Sequence, residues 1–191
     1  MTNRSNLLTD PSGLGRRDFL KVGAGFTLAA TAGTVLVGCG DAAKQPAEGY
    51  AFLRTGDVEL FAALAPAVVT ELAQFDGAQR QKLVGDIVRG VDATIAGMGL
   101  HSRGEVRKLL DLLAIAPLRY LLTGVGAWSE ASVPDMSAFL ERWRGSRFAT
   151  LNAGGNALVK LTSSSFYFLP AAWALAGYPG PLDYVFKAIN A

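Results

Sequence analysis

Residues 77–98, GAQRQKLVGDIVRGVDATIAGM, set Leu83, Ile87, Val91 and Ile95 at every fourth position, with Val84 and Val88 beside them. That spacing gathers the apolar side chains on one stripe of an α-helix. Gly97 and Gly99 supply its stop. Upstream, from Asp57 to about Gln74, Val58, Phe61, Leu64, Val68 and Leu72 recur at three- and four-residue steps, and Asp57 is placed to cap the start. Pro66 has no backbone N–H to donate, so this helix is expected to kink there or to divide.

Downstream, Ser102-Arg103-Gly104-Glu105 has the spacing of a capping box. It predicts a third helix through Leu109, Leu110, Leu113, Leu118, Leu121 and Leu122 to about Gly124, kinked at Pro117. The apolar breadth of this segment predicts a central position. Pro134 should start a short helix with Met136, Phe139, Leu140 and Trp143 on one side. A further helix is expected from Phe148 to Phe168. The Gly154-Gly155 pair in its middle either admits another backbone closely or weakens it by about 1 kcal/mol per glycine. Ser165–Leu169, SFYFL, is the only short strand candidate. The sum is an all-α fold, a compact bundle of about five or six helices with no internal repeat.

Ahead of the bundle, Gly15-Arg16-Arg17-Asp18-Phe19-Leu20-Lys21 looks like a twin-arginine export signal. Arg16, Arg17, Phe19, Leu20 and Lys21 match the pattern, and Gly15 stands where it prefers Ser or Thr. The following run, Val22–Val37, has 16 residues broken by glycines and threonines. That is short of the roughly 20 apolar residues a membrane span needs, and it suits the apolar region of a signal peptide. It closes on Leu36-Val37-Gly38-Cys39, which resembles the lipobox of bacterial lipoproteins, in which the cysteine is acylated and becomes the new N-terminus. A buried, unmodified Cys39 is the alternative. Residues 1–38 are thus expected to be a cleaved twin-arginine lipoprotein signal, 39–50 a flexible tether or frayed terminus, and 51–191 the helical domain. The expected location is periplasmic, reached through the twin-arginine translocon and anchored to the membrane by lipidated Cys39.

Of 18 basic and 16 acidic residues, four and two lie in residues 1–38, so 14 of each remain. A neutral mature chain has no electrostatic footprint for nucleic acid. Cys39 is the only cysteine, so no internal disulfide can form, and stability must come from an apolar core. His101 is the only histidine and reads as a surface-loop residue; no multi-histidine metal site can be built from it. The carboxylates occur singly, and spacings such as Asp86 to Asp92 suggest solvated faces. Gly97-Met98-Gly99 lacks the preceding strand and third glycine of a dinucleotide loop. No catalytic residue, metal site or cofactor is expected in this chain.

Seven of the 18 aromatic residues fall between positions 166 and 186: Phe166, Tyr167, Phe168, Trp173, Tyr178, Tyr184 and Phe186. Gly177-Tyr178-Pro179-Gly180-Pro181 lies among them and reads as a rigid turn. It either caps the core, with the aromatics filling it, or forms a docking surface. The basic cluster Arg142, Arg144 and Arg147 is either a solvated helix end or a set of polar partners for such a surface.

Two stretches carry a family resemblance. FLRTGDVELFAALAPAVV (Phe52–Val69) and FYFLPAAWALAGYPGP (Phe166–Pro181) are similar to the small subunits, of gluconate 2-dehydrogenase subunit 3 type, that accompany membrane-associated flavin dehydrogenases. The resemblance implies a non-catalytic accessory subunit whose partner is a large flavoprotein of the glucose-methanol-choline family. That partner would carry FAD and oxidise an alcohol, sugar or sterol hydroxyl, with a cytochrome c as candidate electron acceptor. The small subunit would export it, folded and loaded, by a hitchhiker route. Trp173, Tyr178, Pro179, Gly180 and Pro181 are the expected partner-binding residues. The competing expectation is a free-standing helical lipoprotein that binds a small apolar ligand between its helices.

Overall fold

The computed structural model describes residues 45–180. The export residues Arg16, Arg17, Phe19, Leu20 and Lys21, the lipidation residue Cys39, and Pro181, Tyr184 and Phe186 lie outside them. Among the described residues the chain is helical throughout: α1 (Thr55–Val68), α2 (Gly77–Ala96), α3 (Leu100–Ala114), α4 (Ala116–Thr123), α5 (Val133–Arg144), α6 (Ala149–Tyr167) and α7 (Pro170–Leu175). Short 3-10 turns occupy Thr70–Gln74 and Trp128–Glu130. The count of seven is close to the five or six expected; the expected third helix forms as two, and α7 is a further short one.

The helix predicted over 77–98 forms as α2, and it buries Leu83, Ile87, Val88, Val91 and Ile95. Asp76 caps it, accepting from the Gln79 N–H. α5 likewise follows expectation. Pro134 lies in its first turn, Ser132 and Asp135 form a capping box, and Met136, Phe139, Leu140 and Trp143 are buried.

Elsewhere local signals were overridden. Asp57 does not cap α1 from outside; it sits in the first turn and its carboxylate accepts the Arg54 N–H at 2.9 Å. The apolar run through Pro66 divides after Val68, and the Arg80 guanidinium gathers the Leu72, Ala73 and Phe75 carbonyls of the 3-10 turn that follows. Ser102 caps nothing: Gly99, with extended backbone, is already the N-cap, so α3 starts earlier and His101 lies in its first turn rather than in a loop. At Ile115 the backbone turns extended, and Pro117 enters the first turn of α4, so the third helix is broken rather than kinked. The SFYFL strand candidate is the end of α6, where Ser164 and Ser165 hydroxyls donate back to the Lys160 and Leu161 carbonyls.

The centre belongs to α1 and α6, not to the leucine-rich third segment. α1 buries Leu60, Phe61, Leu64 and Ala65 and packs on α2, α5 and α6. α6 lies between α2 and α5, at crossings that only small residues allow. Gly154 and Gly155 lie against Trp143, where an added Cβ would stand 3.0 Å from the indole ring and from Trp143 Cβ respectively. The glycine pair does admit a close neighbour, but chiefly the Trp143 side chain rather than another backbone, of which only the Arg144 N comes near, 3.4 Å from a Cβ added at Gly155. Trp143 is fully enclosed, meets Phe139 edge to face at 4.9 Å, and donates its indole N–H to the Leu122 carbonyl at 2.9 Å.

Candidate functional site

Phe166–Phe168 are three aromatics on one helical turn, so roughly 100° separates each from the next and only one faces the core. Phe166 is buried; Tyr167 is 55% and Phe168 73% exposed. Leu169 ends the turn, and α7 doubles back with Trp173. Trp173 is half-buried. Its indole N–H donates to the Tyr167 carbonyl at 2.9 Å, and its ring stands edge-on to Tyr178 at 5.9 Å. The chain then needs backbone that only glycine adopts easily, with φ +66° at Gly177 and +95° at Gly180. An added Cβ at Gly180 would sit 3.5 Å from the Trp173 ring.

The structure therefore brings Trp173, Tyr178 and Gly180 together and splits their roles. Trp173 holds the turn, Gly180 lies buried beneath it, and Tyr178 (50% exposed) and Pro179 face outward. Around them Tyr167, Phe168 and Leu175 extend the apolar surface. Leu175 was not singled out in the sequence, and its signal is only its position two residues from Trp173. Tyr167 also reaches back to the start of the fold, donating its hydroxyl to Glu71 at 3.0 Å. That carboxylate raises the Tyr167 pKa above the ordinary phenol value, because it favours the protonated donor.

A second constellation, not foreseen from the sequence, joins Phe52, Leu53, Arg54 and Asp57 of the Phe52–Val69 stretch to Asp92, Arg107 and Asp111 far along the chain. Asp92, read from spacing as solvated, is buried. Its Oδ2 accepts the Ala51 N–H at 2.8 Å, and its Oδ1 accepts the N–H groups of Phe52 and Leu53 at 2.9 and 2.8 Å. Beside it, Arg107 pairs with buried Asp57 at 2.7 Å, stacks over Phe52 at 4.9 Å, and approaches Asp111, which also holds Arg54 at 2.7 Å. The segment ahead of α1 is thus clamped to α2 and α3. Ala47 belongs to the same clamp, its N–H donating to the Leu53 carbonyl. Both Asp92 oxygens and the Asp57 carboxylate accept hydrogen bonds within this constellation, while the buried Arg107 Nε finds no hydrogen-bond acceptor and meets Asp111 only as an ion pair at 3.3 Å, so the arrangement ties the N-terminal segment to two helices.

Between α2, α3 and α6 runs an open, largely apolar groove of about 590 Å³, lined by Thr94, Met98, Val106, Leu161 and Tyr167 with Lys160 at its rim. Among the described residues no three His, Cys, Asp or Glu side chains converge as a metal site would require, and no helix is long and apolar enough to cross a membrane. Arg142, Arg144 and Arg147 stay exposed around the end of α5, and among the described residues none is in an ion pair. In comparisons with known proteins, no family model, curated protein or solved structure matches the chain.

Proposed function

We propose that this chain is a non-catalytic accessory subunit that exports a partner FAD-dependent dehydrogenase of the glucose-methanol-choline family and anchors it at the periplasmic membrane surface. The observation that carries the reading is the exposed cap formed by Tyr167, Phe168, Leu175 and Tyr178 on the buttress of Trp173. Tyrosine and phenylalanine held rigidly in the open offer a partner large contact area at little entropic cost. The twin-arginine pattern at Arg16 and Arg17 and the lipobox at Cys39 supply the export and anchoring parts of the reading. FAD belongs to the partner, and no residue of this chain is asked to hold it.

Co-expression with a large flavoprotein subunit from the same genome tests this. The two chains should purify as one yellow complex, whereas this chain alone is colourless. Phe168→Ala with Tyr178→Ala should weaken the complex roughly tenfold or more, since a lost hot spot is worth upward of about 1.4 kcal/mol. Arg16→Lys with Arg17→Lys should leave both chains in the cytoplasm. A chain that stays monomeric beside the co-expressed partner refutes the proposal.

The groove of about 590 Å³ favours a second reading, a free-standing lipoprotein that takes a small apolar ligand. Native mass spectrometry of the chain alone separates the two, because only that reading expects a bound lipid-sized adduct.

A further inference from the structure

α4 is the least covered helix of the fold. Of Ala116–Thr123 only Thr123 is buried, while Leu121 is 76% and Tyr120 65% exposed, and Ile115 before it stands open as well. Water is a poor solvent for such a run, so a helix that leaves its leucine and tyrosine outside is shaped for another surface. The charges around it say which. Arg119 lies in α4 itself, its guanidinium over Trp128. The Arg142 guanidinium lies against Gly124 at the helix end, where an added Cβ would be 3.4 Å from it. The Leu122 carbonyl is seated on Trp143, so α4 adjoins the end of α5, around which Arg144 and Arg147 stand exposed. Among the described residues none of these four arginines is in an ion pair, although basic and acidic residues are equal in number over residues 39–191.

We propose that α4 rests on an anionic phospholipid surface, with Leu121 and Tyr120 entering the headgroup region and Arg142, Arg144 and Arg147 meeting lipid phosphates. Apolar side chains flanked by cations, with no acid among their partners, are complementary to the anionic boundary of a bilayer. An acidic protein would meet the arginines but not the aliphatic tip. The inference does not depend on the flavoprotein reading, which uses a different set of side chains, on α6, α7 and the turn after them.

Because Cys39 is the only cysteine, one reporter can be placed at will in the full chain: Cys39→Ala with Leu121→Cys, labelled with a polarity-sensitive fluorophore. The probe surface is vesicles of phosphatidylglycerol and phosphatidylcholine in roughly a 1:2 ratio. The label at 121 should shift to the blue and be quenched by a lipid-embedded quencher, and a label at the exposed position of Gln81 should do neither. Replacing Arg142, Arg144 and Arg147 by glutamine should cut the response roughly tenfold, and salt should weaken it. A silent label at 121 on chains that nevertheless sediment with the vesicles overturns the proposal. So does an equal response at 81, or an equal response on pure phosphatidylcholine. Burial of the label only when the flavoprotein subunit is added assigns α4 to that partner and also overturns it.

Discussion

Replacing Asp92 by asparagine keeps the side chain's shape and removes the charge from the three bonds that hold Ala51, Phe52 and Leu53. A hydrogen bond to a charged acceptor contributes about 1.5–3 kcal/mol and a neutral one about 0.5–1.5, so three bonds weaken by roughly 3 kcal/mol together. Burying an amide costs less than burying a carboxylate, which returns about 1 kcal/mol. The amide NH2 also opposes one former donor; Ala51 is exposed, so its N–H turns to water cheaply. The net loss should be about 2 kcal/mol, or about 6–8 °C in Tm for a domain of this size. Asp92→Ala should cost more, about 3–5 kcal/mol, because the buried Leu53 N–H then faces no acceptor. Urea unfolding followed by helical circular dichroism reads both variants, and hydrogen exchange at residues 51–53 locates the effect. Asp86→Asn is the control: its pairs with Lys82 and Arg89 are exposed, and it should cost less than about 0.5 kcal/mol. An asparagine at 92 as stable as wild type, or as damaging as alanine, would refute the charged-clamp account.

Gly154→Ala gains about 1 kcal/mol of helix propensity but forces Trp143 and Leu109 apart, so it should destabilise by about 1–2 kcal/mol net. Gly104→Ala, in α3 with open space around it, should instead stabilise by about 0.5–1 kcal/mol; thermal melts of the pair check the opposite signs. Arg107→Met strands the buried Asp57 carboxylate and should cost about 3 kcal/mol, much of which Asp57→Asn should recover in a double-mutant cycle. Tyr167 has its folded pKa raised by Glu71, so its contribution is fully present below the unfolded phenol pKa and is lost as pH rises through the folded one. Ultraviolet titration should place Tyr167 ionisation above that of an ordinary tyrosine, and Glu71→Gln should bring it down.

Helices whose cues are local were legible. α2 and α5 carry their own caps and apolar stripes, and the sequence places both closely. What escaped depends on partners far along the chain. Asp92 looks like one more solvated carboxylate until residues 51–53, some 40 positions earlier, close on it. The third segment has the broadest apolar face, yet the break at Ile115 turns its second half outward, and breadth alone cannot tell a buried helix from one built to meet another surface. At the C-terminal cap the residue types were legible and their orientations were not. Trp173, expected in the contact, is half-buried and braces the turn, while Phe168, one of the clustered aromatics, and Leu175, not singled out in the sequence, face out.

The clamp at Asp92 also has a mechanical consequence. The chain ahead of residue 47 reaches the fold through a segment whose three backbone N–H groups donate hydrogen bonds to one carboxylate, with Arg107 gripping the neighbouring ring and carboxylate. A pull delivered from the N-terminal side is therefore shared by those bonds at once rather than peeling them singly, and passes directly into α2. The same bonds close a loop of some 40 residues, at an entropic cost of roughly 3 kcal/mol that only a docked α2 can offset. The grip that bears tension thus exists only in a domain that has already folded, so resistance to pulling at this end is itself a report of the native state.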